Sequence, residues 1–403
     1  MDLLTIIYLG FIFASLYLSV FFLIIYYKNK EKLFEVEELK EFPSLSVLIP
    51  AFNEEDTIQD TIKAVLNSDY PKDKLDILVI NDGSTDKTLE RAREFDVRVL
   101  DKKNSGKADS LNQALEMVDS EFVAVVDADS YPVENAFKNI ISHFNEKTGG
   151  VTSCILVKNP KNLLEKMQSA EYTFISWARK LLEFIGCVYV TPGALSIYRS
   201  KALKGVGGFD TKNMTEDIEI TWRLLRNKYE IGMCLAAKVF TVPPKKFMQY
   251  WRQRLRWHLG GLQTFLKYKN TLFNNKFGSL GLFISPFFGI SLILSLTGLS
   301  FFSYIILRRL IHSVLLTKSL ISTSSFGWYI NSLGITPSVF TFFWLSLFAV
   351  TLVYVYSCYK SMKVRFNFNN SFILLSYLLV YVALNPFILV HAMWRYTTGN
   401  MQW

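Results

Sequence analysis

Apolar positions fall into three regimes along the chain. Leu3 to Tyr27 is almost wholly apolar or small and carries no charge, which exceeds the roughly 20 residues that cross a bilayer. A middle region follows in which short apolar runs alternate with helical patterns. Leu45–Ile49 reads as a buried strand ended by Pro50, and residues 56–66 as a helix. Leu75–Ile80 is a second strand, closed by Asn81-Asp82-Gly83-Ser84, with a helix over 86–95. Val97–Leu100 is a third strand, Lys107–Val118 a helix, and Phe122–Val126 a fourth strand running into Asp127. Beyond Gly149-Gly150 come a strand at Val151–Val157 and a helix at Leu163–Phe184. Extended chain follows at Val188–Tyr198, interrupted by Pro192-Gly193, then a helix at Thr215–Arg226 and extended chain at Ile231–Val242. Strands alternating with helices predict an α/β domain with a mostly parallel sheet. Ligands in such sheets gather at the carboxyl ends of strands, where Asn53, Asp82 and Asp127 all fall.

The third regime returns to the membrane. Phe247–Tyr268 mixes aromatic residues with Arg and Lys at helical spacing. That pattern fits an amphipathic helix lying in the interface, or one packed on the soluble domain. Three apolar spans follow, at about Leu280–Leu307, Ser338–Cys358 and Phe372–His391. The expected division is therefore an N-terminal transmembrane helix (1–28), an α/β domain (43–242), an interfacial helix region (243–275) and a C-terminal transmembrane region (280–403). Asp2 at the start argues against a cleaved signal peptide. Lys28, Lys30 and Lys32, and later Lys360, Lys363 and Arg365, mark cytoplasmic ends. Counting spans from there puts Arg308 and Arg309 outside, against the same rule. A re-entrant or interfacial segment within residues 310–336 would instead return Arg395 and Trp403 to the inside.

Composition narrows the class. Half of the 403 residues are apolar and 20% are charged, too apolar for an ordinary soluble enzyme and too charged for a purely membrane protein. The net charge of +9 is dispersed. Nucleic-acid binding would want a basic stripe on a recognisable module, and none is present; an anionic lipid surface suits this balance better. Cys154, Cys187, Cys234 and Cys358 have no CxxC spacing, so they read as buried thiols in a reducing compartment.

Five polar clusters carry candidate chemistry. Asp127-Ala128-Asp129 follows a buried apolar run. Side chains two apart on an extended chain point the same way, which offers two carboxylates to a divalent ion and a diphosphate; a solvated turn is the alternative. Asp82 suits either a capped turn or a nucleotide contact. Lys107 opens a helix after Gly106, either as an ordinary surface lysine or as a phosphate contact aided by the helix N-terminus. Thr215-Glu216-Asp217 starts a helix with Thr215 as a natural N-cap. Asp217 is then either a dipole-placed acid or a general base. Gln253, Arg256 and Trp257 share one helical face. There Arg256 can hold phosphate oxygens and Trp257 can stack on a sugar, unless the cluster is only interfacial.

Taken in order, Pro50-Ala51-Phe52-Asn53-Glu54-Glu55, Asn81-Asp82-Gly83-Ser84, Gly106-Lys107-Ala108, Asp127-Ala128-Asp129, Thr215-Glu216-Asp217 and Gln253-Arg254-Leu255-Arg256-Trp257 make the chain resemble membrane-bound family 2 glycosyltransferases. That group contains cellulose, chitin, hyaluronan and poly-N-acetylglucosamine synthases. The resemblance covers about residues 43–260. It implies a GT-A fold, a nucleotide-sugar donor (usually UDP-linked), Mg2+ or Mn2+, and inversion at the anomeric carbon. It assigns Ala51, Asn53, Glu54, Asp82, Lys107, Asp127, Asp129, Gln253 and Arg256 to the nucleotide sugar, with Asp127 and Asp129 also on the metal. Asp217 becomes the base, and Gly193, Ala194, Glu216 and Trp257 contact the acceptor. Pro192 departs from the small-residue loop of such relatives.

The expected function is a processive, inverting transferase in the cell membrane. Its multi-pass chain would place the catalytic domain in the cytoplasm, building a polysaccharide on a glycan acceptor, with a homo-oligomer or an export partner where translocation needs one. The alternative is transfer of a single sugar to a lipid carrier or glycolipid. A catalytically inactive scaffold would have lost the acids that this chain retains.

Overall fold

In the computed structural model, residues 3–322, 339–365 and 367–400 are described. The first element is helix α1 (Leu3–Asn29). The α/β domain then runs β1 (Leu45–Ala51), α2 (Ile58–Leu66), β2 (Leu75–Asp82), α3 (Thr88–Arg93), β3 (Arg98–Lys102), α4 (Lys107–Glu116) and β4 (Phe122–Val125). Its second half comprises β5 (Ser130–Pro132), α5 (Ala136–Ile141), β6 (Thr148–Val157), α6 (Leu163–Glu183), β7 (Ser196–Arg199), α7 (Ser200–Gly205), α8 (Glu216–Arg226) and β8 (Glu230–Thr241). Helices α9 (Phe247–Lys267), α10 (Ser285–Ser322), α11 (Val339–Ser361) and α12 (Phe368–Thr397) complete the chain.

The eight strands form one sheet in the order β3-β2-β1-β4-β7-β6-β8-β5. The first four are parallel. β7 runs against both β4 and β6, β8 is parallel to β6, and the short β5 is antiparallel to β8. Both faces are covered, so the central strands are apolar on both sides. Leu45, Val47 and Ile49 pack with Ile58, Ile62 and Val65 of α2 and Phe137 of α5. Leu48, Leu78 and Val123 point the other way, toward Leu111 of α4, Trp177 of α6 and Trp222 of α8. The side-chain period of two along each strand produces this division.

Two expectations about strand ends are corrected. Pro50 does not end β1, which continues to Ala51 opposite Asn81. The β1 residues that bond toward β4 are the even ones: the Leu48 carbonyl accepts from Val126 N–H at 3.0 Å. Pro50 shares that side, but the β1–β4 ladder stops at Leu48, so the missing proline N–H has no partner to lose. The stretch Val188–Tyr198 is strand only from Ser196. Elements too short to leave a periodicity, β5, α5 and α7, were not anticipated.

Three helices among the described residues are long and apolar enough to cross a membrane: Leu9–Lys32, Leu280–Ser300 and Phe368–Thr397. α11 is a further apolar helix of 23 residues; Ser338, expected to start it, lies outside the described residues. Residues 310–322 continue α10 rather than turning back. The rest of the suggested re-entrant segment, and Trp403, also lie outside the described residues. α6 joins the two regions. Trp177 packs on the sheet side and also meets Tyr26 of α1 at 5.4 Å and Tyr354 of α11 at 4.8 Å between ring centroids.

Candidate active site

The reversal between β4 and β7 creates the site. Because β7 enters antiparallel beside β4, the loop leading into it lies against the residues that leave β4. Asp127 N–H donates to the Gly193 carbonyl at 2.9 Å. A Cβ on Gly193 would fall 2.3 Å from Lys107 Nζ and 2.7 Å from Asp127 Oδ1, so a side chain here would have to displace the Lys107–Asp127 pair. The same loop reaches α8. Thr191 Oγ1 lies 2.7 Å from Thr221 Oγ1 and donates to the Asp217 carbonyl at 3.4 Å. Ala194 is buried behind it.

Lys107 ties the acidic clusters together. Its ammonium donates to Asp127 Oδ1 at 2.5 Å and pairs with Glu216 Oε1 at 2.9 Å. Burial works against that charge, but Asp127 and then Glu216 outweigh it and raise the Lys107 pKa. Glu216, also buried, is nevertheless lowered, chiefly by Lys107. Its neighbour Asp217 goes the other way: burial and then the Glu216 charge push it up to about 6, against the pull of Lys107 and Arg256. Asp217 is half-buried in the first turn of α8, where its Oδ1 accepts from Ile218 N–H at 2.9 Å.

Asp127 and Asp129 converge through a turn, not through strand parity. β4 ends at Val125, and Ser130 N–H donates to the Asp127 carbonyl at 3.0 Å. Burial, then Asp127 and Glu54, push Asp129 up to about 7. Burial, with further contributions from Asp127, Asp86 and Asp56, also raises Glu54, whose Oε2 accepts from Thr57 Oγ1 at 2.7 Å. Among the described residues no three His, Cys, Asp or Glu side chains form a metal cage. Asp129, which has no ion pair among the described residues, and Asp127, one of whose oxygens is held by Lys107, still suit a Mg2+ or Mn2+ ion that takes its other ligands from water and a diphosphate.

The residues expected to meet the nucleotide bond largely to the chain itself. Ala51 is buried at the end of β1, and Asn53 adopts a left-handed φ of 56°. Asn53 Oδ1 accepts from Thr85 N–H at 2.8 Å and its N–H donates to Ser84 Oγ at 3.0 Å, which joins the loops after β1 and β2. Asp82 is buried, and its oxygens are taken by the chain itself. They accept from Lys102 Nζ at 2.6 Å, and from Ser105 and Gly106 N–H at 2.9 Å each. Here Asp82 shapes the loop before Lys107, and Lys102 is a partner that the sequence motifs do not single out.

The α9 face closes the other side. Arg256 is exposed, and its charge draws down both Glu216 and Asp217. Gln253 Oε1 is buried and lacks a hydrogen-bond partner among the described residues. Trp257 is half-buried with the Arg254 guanidinium 4.2 Å from its ring centroid. Arg254 is itself buried and makes a two-pronged bond to Glu171 of α6 at 2.7 and 2.8 Å. Neither Glu171 nor this function of Arg254 is legible in the motifs. Thr215 takes the N-cap position without the expected side-chain cap bond. Gly260 of α9 sits against it instead: a Cβ there would lie 2.1 Å from Thr215 Oγ1.

α9 also packs along α12 as well as α8. His258 Nε2–H donates to Asn385 Oδ1 at 2.6 Å, and Trp251 Nε1–H to His391 Nδ1 at 3.3 Å. Leu255 and Leu259 are buried with Ile388 and Ala392.

A curled, mostly parallel sheet with one acidic cluster after a strand end and a second at the start of α8, joined to membrane-length helices, defines a GT-A glycosyltransferase architecture. The profile described as "Glycosyltransferase like family 2" matches residues 43–260, just over half of the chain, and the chain belongs to that family. Poly-beta-1,6-N-acetyl-D-glucosamine synthase of Staphylococcus epidermidis is 32% identical over 272 residues, 64% of this chain and 66% of that protein. The protein of the same name from Staphylococcus aureus (strain MSSA476) is 32% identical over 250 residues, 60% of each chain. These matches span a little under two thirds of the relatives' own length. A mannosyltransferase from Pyrobaculum calidifontis, solved in complex with GDP-Man and Mn2+, superposes with a TM-score of 0.53 at 18% identity. It covers 88% of this chain and 98% of that one, a likeness of fold.

Proposed function

We propose that the chain is a multi-pass membrane enzyme with its α/β domain on the cytoplasmic side. It would transfer a sugar from a UDP-linked donor to a growing glycan, with inversion at the anomeric carbon. The observation that carries this reading is Lys107, which joins Asp127 to Glu216 beside Asp217 and so draws the two acidic clusters into one site. The names of the relatives support N-acetylglucosamine as the sugar and a polymer as the product.

Asp217 would take the proton from an acceptor hydroxyl. The freed oxygen forms a bond to the anomeric carbon from the face opposite the diphosphate. The bond from that carbon to the diphosphate breaks, and its electron pair leaves with the nucleotide. Asp127 and Asp129 would hold Mg2+ or Mn2+, whose Lewis acidity offsets the charge gathering on the departing diphosphate. Lys107 and Arg256 would face the same phosphate oxygens, and Gln253 and Trp257 the acceptor end.

The test is UDP release by the purified chain across a panel of UDP-sugars, followed by product sizing. The reading expects UDP-N-acetylglucosamine to be used and long products to form. Products that stop at one added sugar would instead mean single transfer to a lipid or glycolipid. Asp217→Asn should reduce turnover about 10²–10⁴-fold, the range for a lost general base, while nucleotide binding survives.

A further inference from the structure

A second polar cavity lies away from the acidic cluster, at the foot of the membrane helices. It encloses about 240 Å³ between α6, the end of α11 and the start of α12. Its polar wall includes Lys166, Ser169 and Asn370, and its apolar wall includes Ala170, Val364 and Ile373. Lys166 has no carboxylate partner among the described residues. Glu165, its neighbour in sequence, spends its carboxylate on the Lys161 and Asn162 N–H groups at 2.7 and 2.9 Å. The connector from α11 to α12 adds Lys360, Lys363 and Arg365, which make no ion pair among the described residues.

The cavity also sits at a defined level. Ser361 Oγ, at the end of α11, donates to the Tyr26 hydroxyl at 3.1 Å near the end of α1. The cations Lys28, Lys30 and Lys32 that follow Tyr26 therefore belong to the same end of the helix bundle as the connector. On another side of the same helix, α12 carries exposed apolar residues, with Phe372, Leu375 and Leu379 exposed by 52%, 56% and 64%. A cationic recess beside an apolar helix fits an amphiphile with an anionic head. A free phosphate would have no use for the apolar wall.

We propose that this cavity seats the headgroup of an anionic glycerophospholipid, with the acyl chains along the exposed face of α12. The inference rests on α11 and α12 spanning the bilayer and is independent of the reaction assigned to the acidic site.

The experiment is native mass spectrometry of the detergent-purified chain with phosphatidylglycerol or phosphatidylcholine added. Wild type should retain one phosphatidylglycerol in preference to phosphatidylcholine. Lys166→Gln should weaken that retention about fivefold. Ala170→Trp, which fills the recess without changing charge, should weaken it equally. Lys28→Gln, at the same level but outside the cavity, should change it less than twofold. Undiminished, wild-type retention by the two cavity variants overturns the proposal. So does a loss in Lys28→Gln matching that in Lys166→Gln, which would mean diffuse attraction to the basic belt. Displacement of the lipid by millimolar inorganic phosphate would overturn the lipid assignment.

Discussion

Glu216 and Asp217 are adjacent on one helix turn, yet their environments drive them apart. Glu216 faces Lys107 at 2.9 Å and stays ionised, while burial and the Glu216 charge lift Asp217 to about 6. A base must be deprotonated to work, so the sign is fixed: turnover rises with pH through about 6 and levels off above it. Below that value kcat/KM should fall roughly tenfold per pH unit. A profile that stays flat from pH 7 to 5 would remove Asp217 from the role. The Asp127–Asp129 pair makes a separate prediction. EDTA should abolish transfer, and Mg2+ or Mn2+ should restore it; undiminished turnover in chelator would count against a metal there. At this scale much of the site was legible, because acids after apolar runs stand out. The partners were less legible. Lys102, which occupies Asp82, and Glu171, which holds Arg254, lie far from those acids in sequence and carry no motif of their own.

The element scale shows why the motifs meet. α6 and α9 are clasped by the buried Glu171–Arg254 pair, and the same guanidinium lies over Trp257. Losing one partner of such a pair leaves an uncompensated buried charge and costs about 3–5 kcal/mol. Glu171→Gln should therefore lower stability by about that amount, whereas Glu171→Leu with Arg254→Met should lose less. Thermal or denaturant unfolding of wild type, Glu171→Leu, Arg254→Met and the double variant decides it; additive losses would mean the two residues are not coupled. Helix and strand positions followed from apolar periodicity, which is strong where burial is one-sided or complete. Local geometry at element ends did not. The turn at Asp127–Ser130 and the strand running through Pro50 depend on where a neighbouring ladder stops, and that is a tertiary fact.

On the scale of the whole molecule, the catalytic sheet and the membrane helices are not separable units. Leu255 and Leu259 of α9 are buried against Ile388 and Ala392 of α12. A fragment of residues 43–275 would bare that seam. Without detergent it should run as aggregate on size exclusion, and a stable soluble monomer would contradict the packing described. The sequence could place the membrane segments by length and composition, but not this seam, because an amphipathic helix has the same pattern whether its apolar side meets lipid or protein.

His258 and Trp251 bond α9 to Asn385 and His391, so the helix bearing Gln253, Arg256 and Trp257 is tied to α12. Chemistry at this site is thereby held at one height and one heading above the bilayer. If the product lengthens, it must be the moving part, slipping past a stationary catalyst after each addition.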